Sequence, residues 1–285
     1  MRGAESPQTW RLSRRADLPI GTVAVDSLGH GPPVVLVHGT PTWSYLWRHV
    51  APALADTFTV YVYDLLGYGD SPAAPDADVS VRAQAELLAQ LLEFWHLDEP
   101  AVAGHDIGGA AVLRAHLLHG CAFRRIALID AVALRPWITP TTRHMQAHLD
   151  TYRTMPVHIY EQIVAAHLRT AFHQAPGSDT FNAYLDRWRG KEGQAAYFQK
   201  VGQFNEDHTR DFESMLENLD TPVRIIWGEH DAWLNRAVAK RLDALIPESQ
   251  LVLVPEAGHF SMEDAPEEVA AALAEFFSAE EAGES

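Results

Sequence analysis

Six short apolar runs recur along the chain, and each has a residue able to do chemistry at or soon after its end. They are Pro33–Val37 (PVVLV), Phe58–Tyr63 (FTVYVY), Ala101–Gly104, Arg125–Asp130 (RIALID), Val223–Trp227 (VRIIW) and Leu251–Val254 (LVLV). A continuous apolar run of this length, without polar alternation, suits a strand buried on both faces. Between the early runs lie helical patterns. Ser80 opens one that reaches about Leu97, with Leu87, Leu88, Leu91, Leu92 and Trp95 at helical spacing. Gly108 to Leu118 reads as an alanine-rich helix closed by Gly120. Strand–helix alternation predicts a mostly parallel sheet with helices on both faces. Ligands bind such sheets at the carboxyl ends of the strands.

Two antiparallel strands are expected ahead of this alternation, around Trp10–Arg14 and Thr22–Ser27. The alternation breaks after the RIALID run. From Val132 to Leu216 the chain is helical in composition, rich in His, Tyr and Trp, and has no strand-like run. This predicts a core domain over residues 1–131 and 217–285, with a helical cap inserted over 132–216. A last helix is expected over Glu267–Phe277, after Asp264 and Pro266. A chain of 285 residues buries enough core to need no disulfide or metal.

The balance of charge excludes some partners. A formal net charge of −16 disfavours nucleic acid and anionic membranes. The single cysteine, Cys121, fits a reducing compartment. The first residues lack the apolar core of a signal peptide, and no run is long enough to span a bilayer. A cytoplasmic protein is expected, with a disordered acidic tail over the final SAEEAGES. Its expected partner is a small molecule, and a homodimer is compatible with the sequence.

Gly104-His105-Asp106-Ile107-Gly108 ends a strand and opens a helix. The pattern is glycine, x, nucleophile, x, glycine, the sharp turn that lifts one side chain above a sheet. That side chain is Asp106. A serine there would need a base before attacking, whereas an aspartate is already ionised at neutral pH. The helix N-terminus favours the anion further. A carboxylate is a poor nucleophile at a carbonyl but a competent one at a saturated carbon bearing a leaving group. The expected intermediate is an alkyl ester on Asp106.

His259 follows the last run and is the expected base, activating a water against that ester. Asp231, in Trp227-Gly-Glu-His-Asp, is the favoured acid to hold the imidazole, with Asp130 as its rival. The order nucleophile, acid, base suits this kind of sheet. His38-Gly39-Thr40-Pro41 follows the first run. The backbone N–H groups of Thr40 and Ile107 are expected to form an oxyanion hole, each such donor being worth about 10²–10³ in rate. No metal is expected. His144 and His148 lie four apart, but Met145 stands where a zinc-binding helix carries Glu.

The segments HGTPTWSYLWRHV, DLLGYGDS, AGHDIGG, WGEHD and AGHFSMEDAPEE together resemble the haloalkane dehalogenase and epoxide hydrolase branch of the α/β-hydrolases. The resemblance covers most of the chain outside the cap. It implies the α/β-hydrolase fold, Asp106 as nucleophile, His259 as base, Asp231 as acid, a cap that shapes the pocket, and no cofactor. Two features depart from it. Haloalkane dehalogenases place a tryptophan after the nucleophile, and here Ile107 has no side-chain donor. Epoxide hydrolases use two cap tyrosines, and in Gly193–Lys200 (GQAAYFQK) Phe198 falls on one tyrosine position with Tyr197 beside it.

The expected substrate contacts are Trp43, His105, Trp137, Tyr197 and Phe198. Trp137, Trp188, Phe181 and Phe204 also read as cap core. The sequence thus points to a hydrolase acting through an Asp106 ester on a small, mostly apolar electrophile. The alternative is a non-hydrolytic use of the scaffold, as a ligand-binding protein or a biosynthetic acid–base catalyst.

Overall fold

A computed structural model describes residues 10–279. Eight strands form one sheet: β1 Arg14–Leu18, β2 Gly21–Gly29, β3 Pro33–Val37, β4 Thr59–Tyr63, β5 Ala101–His105, β6 Arg125–Ile129, β7 Val223–Gly228 and β8 Gln250–Val254. Their order is β1-β2-β4-β3-β5-β6-β7-β8. β1, β2 and β4 pair antiparallel, and every pairing from β4 to β8 is parallel. The apolar runs become strands because helices cover both faces: β5 and β7 are buried at every residue. β8, at the sheet edge, keeps intermediate exposure along most of its length.

The first strand lies further along the chain than its sequence implies. Residues 11–13 are irregular and pairing starts at Arg14. Trp10 is buried and donates its indole N–H to Ser44 Oγ at 3.2 Å, so its apolar signal reports anchoring rather than strand pairing. The helices at Val81–Trp95 and Ile107–His119 end in left-handed residues, His96 and Gly120 respectively. The helix Pro266–Ser278 runs into the start of the acidic tail; residues 280–285 of that tail lie outside the described residues.

Between β6 and β7 the chain forms helices at Pro140–Ala147, Leu149–Arg153, Val157–Arg169, Ser178–Leu185, Gly190–Gln203 and Asp207–Glu213. Buried polar contacts fasten this insertion to the sheet domain. Arg48 pairs with Glu263, which also accepts from Tyr184 of the insertion. Trp43 donates to Ala183 O at 3.1 Å, and Trp188 donates to Pro41 O at 2.8 Å. Among the described residues no helix is long and apolar enough to cross a membrane.

Candidate active site

Asp106 follows β5 and is the cap residue of helix Ile107–His119, with φ 51° and ψ −125°. A non-glycine residue in this region is strained, and such strain persists only where the surroundings enforce it. Here the enforcement is close packing. A Cβ on Gly108 would lie 2.5 Å from His38 O, and one on Gly39 would lie 2.4 Å from Asp106 Cβ. Only hydrogen at these two positions lets the β3 loop approach the turn.

Asp106 is buried, with its side chain 7% exposed. Its Oδ1 accepts the Thr40 backbone N–H at 2.8 Å, and its Oδ2 lies 3.5 Å from His259 Nε2. One oxygen is thus held by a fixed donor while the other remains free to react. The Ile107 N–H belongs to the first helical turn, where backbone donors lack intrahelical partners. The β3 loop is braced by His38, whose Nδ1–H donates to Gly39 O and whose Nε2 accepts from Leu65 N, each at 2.9 Å. Burial pushes His38 down to about 4, so it stays neutral.

His259 is fully buried and donates from Nδ1 to Asp231 Oδ2 at 2.9 Å. The other Asp231 oxygen accepts from Trp233 N at 2.7 Å and Leu234 N at 2.8 Å, which fixes the carboxylate plane. Burial works against the imidazolium, but Asp231 and then Asp106 outweigh it and raise His259 to about 10. Asp130 is not the partner. Its oxygens accept from Gly228 N at 2.8 Å and Ser261 Oγ at 2.7 Å, and burial with the nearby Asp231 charge pushes its carboxyl well above the usual range.

A cavity of about 50 Å³ opens above Asp106. That is room for a few water molecules. The sheet domain contributes Thr40, Pro41, Asp106, Ile107, Val132, Trp233 and Leu234. The insertion contributes Trp137, Ile138, Thr139, Thr142, His167, Trp188, Tyr197, Lys200, Val201 and Phe204. Of the expected contacts, Trp137 and Tyr197 line this space, and Trp43, His105 and Phe198 do not. Trp43 stacks on Tyr45 at 5.3 Å and carries the Arg187 guanidinium at 4.0 Å. His105 is buried beneath the site; its Nε2–H donates to His259 O at 2.9 Å, and burial lowers it to about 3. Phe198 packs among Tyr152, Tyr160 and Tyr197. Tyr160 donates to Trp188 O at 2.9 Å and is committed to the cap core. Tyr197 is the single tyrosine on the cavity wall, and the indole N–H of Trp137, elsewhere on that wall, is buried without a partner.

Several wall residues were not singled out by sequence reasoning, among them Lys200, His167, Trp233 and Leu234. His167 stacks on Trp233 at 4.5 Å, and burial lowers it to about 4. Lys200 is 3% exposed, with Nζ 5.2 Å from the Tyr68 ring centroid and 5.7 Å from that of Trp188. A signal for it existed. Lys200 follows Tyr197 by three and precedes Phe204 by four, so it falls on the apolar stripe of its helix.

Among the described residues one group has metal-ligating donors: His173, His230 and Glu256, within 4.8 Å of one another. The two rings stack nearly parallel, with centroids 4.1 Å apart. In-plane lone pairs of parallel stacked rings do not converge on one ion.

A model of the alpha/beta hydrolase fold family matches residues 32–266. Haloalkane dehalogenase 2 of Mycobacterium tuberculosis is 28% identical, over 93% of this chain and 94% of that one. The cis-3-alkyl-4-alkyloxetan-2-one decarboxylase of Xanthomonas campestris is 25% identical, over 92% and 95% respectively. The crystal structure of an alpha/beta hydrolase fold protein from Burkholderia ambifaria superposes with a TM-score of 0.90 at 38% identity, covering 95% of this chain and 99% of that one. On the extent of the family match, the chain belongs to the alpha/beta hydrolase fold family and is a hydrolase.

Proposed function

We propose that this hydrolase acts by covalent displacement. Asp106 Oδ2 attacks a saturated carbon and expels a halide or an epoxide oxygen. A water activated by His259 then hydrolyses the resulting ester at Cγ. The observation that carries this reading is the disposition of the two Asp106 oxygens: Oδ1 held by Thr40 N–H at 2.8 Å, Oδ2 unbonded and 3.5 Å from His259 Nε2. Oδ1 becomes the ester carbonyl oxygen and already faces the donor that would stabilise the tetrahedral oxyanion. Asp231 keeps Nε2 of His259 directed at the reacting side. The Trp137 N–H and the Tyr197 hydroxyl are among the cavity groups able to meet the departing atom. Similarity to a haloalkane dehalogenase over nearly the full chain supports this reading.

Replacing His259 by Gln tests it, because the first step should run and the second should stop. Intact-mass spectrometry should find a substrate-derived adduct on Asp106 after exposure to short bromoalkanes or epoxides. A panel of both that leaves the variant unmodified would sink the proposal. Halide release measured beside diol formation separates the two leaving groups.

A second reading keeps Asp106 and drops hydrolysis. One relative is named as a decarboxylase of oxetan-2-ones, which are strained cyclic electrophiles. Carbon dioxide released from such a lactone, without halide or diol activity, would favour that reading.

A further inference from the structure

Four lysine and arginine side chains are buried among the described residues: Arg48, Arg114, Lys200 and Arg224. Three of them have carboxylates. Arg48 pairs with Glu263, Arg114 with Asp211 at 2.7 Å, and Arg224 with Glu275 at 3.3 Å. Lys200 has no carboxylate within ion-pair distance among the described residues, and no hydrogen-bond acceptor for its ammonium. The faces of Tyr68 and Trp188 compensate only in part, since a cation–π contact is weaker than an ion pair with a carboxylate. A buried charge without a counter-charge is costly, and proteins neutralise or pair such groups. Burial accordingly lowers Lys200 to about 8, which still leaves it mostly protonated at neutral pH. Lys200 borders both the cavity above Asp106 and a more open groove lined by Gly67, Trp188 and Gln199, and of the two the cavity is where a counter-charge is better shielded from water and counts for more.

We propose that Lys200 anchors a carboxylate of the substrate, so that the site takes a short monocarboxylic acid carrying its electrophilic carbon within reach of Asp106. The acid is short because the cavity holds about 50 Å³. It is a monoanion because one ammonium balances one charge, and a second would lie uncompensated near Asp106. The anchoring follows from the cavity alone. Alkylation of the anchored acid by Asp106 rests on the function proposed above. No bond is made or broken at Lys200: it pairs with the carboxylate as a fixed cation and sets specificity.

Two measurements separate these claims. The first is equilibrium binding of propanoate and its uncharged isostere propanamide to the wild-type protein, by calorimetry. Propanoate should bind at least 10-fold more tightly. Lys200→Met should abolish the difference and Lys200→Arg should keep most of it. Lys200→Met should also raise Tm in the absence of ligand, since it removes an unpaired buried charge; a misfolded variant is thereby recognised, and Lys200→Arg then carries the comparison. Equal binding of the two probes by the wild type overturns the anchor.

The second is the rate of Asp106 labelling in His259→Gln by bromoacetate against bromoacetamide, with Asp106→Asn as the blank. Bromoacetate should label faster, and adding Lys200→Met should remove that preference. Propanoate discrimination without any labelling of Asp106 keeps the anchor and refutes the nucleophile. If Lys200→Met instead slows labelling by neutral propylene oxide and leaves the bromoacetate preference intact, Lys200 serves the leaving oxygen and the anchor is wrong.

Discussion

The charge on Asp106 should control whether His259 can act as a base. In the free protein His259 lies between Asp231 at 2.9 Å and Asp106 at 3.5 Å, and the pair raises it to about 10 despite complete burial. At neutral pH it is an imidazolium and cannot take a proton. In the reaction proposed above, esterification of Asp106 would remove one of the two charges. Asparagine at 106 imitates that neutral ester in size and charge. A unit charge 3.5 Å away interacts by about 5 kcal/mol at an effective dielectric near 20, or roughly 3.5 pKa units as an upper bound. Asp106→Asn should therefore lower His259 by roughly 2–3 units, to near 7, where it can accept a proton from water.

The assay is an NMR titration of the His259 ring in both proteins, backed by stability against pH. The folded-state value lies above the ordinary one near 6.5, so the stabilisation from protonated His259 is complete below pH 6.5. It is lost as pH rises through about 10, by on the order of 5 kcal/mol in the wild type. In Asp106→Asn the loss should be smaller and finish nearer pH 7. Wild-type titration at or below 6.5, or identical titration in the two proteins, would refute the reasoning.

Two further outcomes follow from the same contacts. Asp231→Asn should leave the Asp106 adduct standing by slowing its hydrolysis at least about 10²-fold, since the imidazole loses its orienting charge; Asp130→Asn should leave that hydrolysis within about tenfold, and single-turnover mass spectrometry distinguishes them. Arg48→Met leaves Glu263 buried without its cation between sheet domain and insertion, and should cost about 3–5 kcal/mol, read as a fall in the denaturant midpoint.

How much of this was readable in advance differs between sheet and site. Apolar runs such as RIALI and VRIIW marked β6 and β7 because strands covered on both faces carry no polar alternation. The one displaced strand, β1, is also the one whose apolar residues, Trp10 and Leu12, serve to anchor a non-strand segment. Asp106, His259 and the two candidate acids stood out because a parallel sheet brings its carboxyl ends together wherever they occur along the chain.

The form of its loop favoured Asp231 but did not exclude Asp130. Asp231 and Asp130 both follow adjacent strands, and only the direction of each side chain decides. Asp130 turns to Gly228 N and Ser261, while Asp231 turns to His259. The wall of the cavity was legible only in part, because it is drawn from an insertion whose helices pack through contacts distant in sequence. Trp43 and Phe198 had the composition of pocket residues and are consumed in packing. Lys200 had the composition of a surface residue and lies buried on the cavity wall. Periodicity along one helix reports which face is covered, and not what covers it; that is decided when the insertion settles on the sheet and closes a space above Asp106.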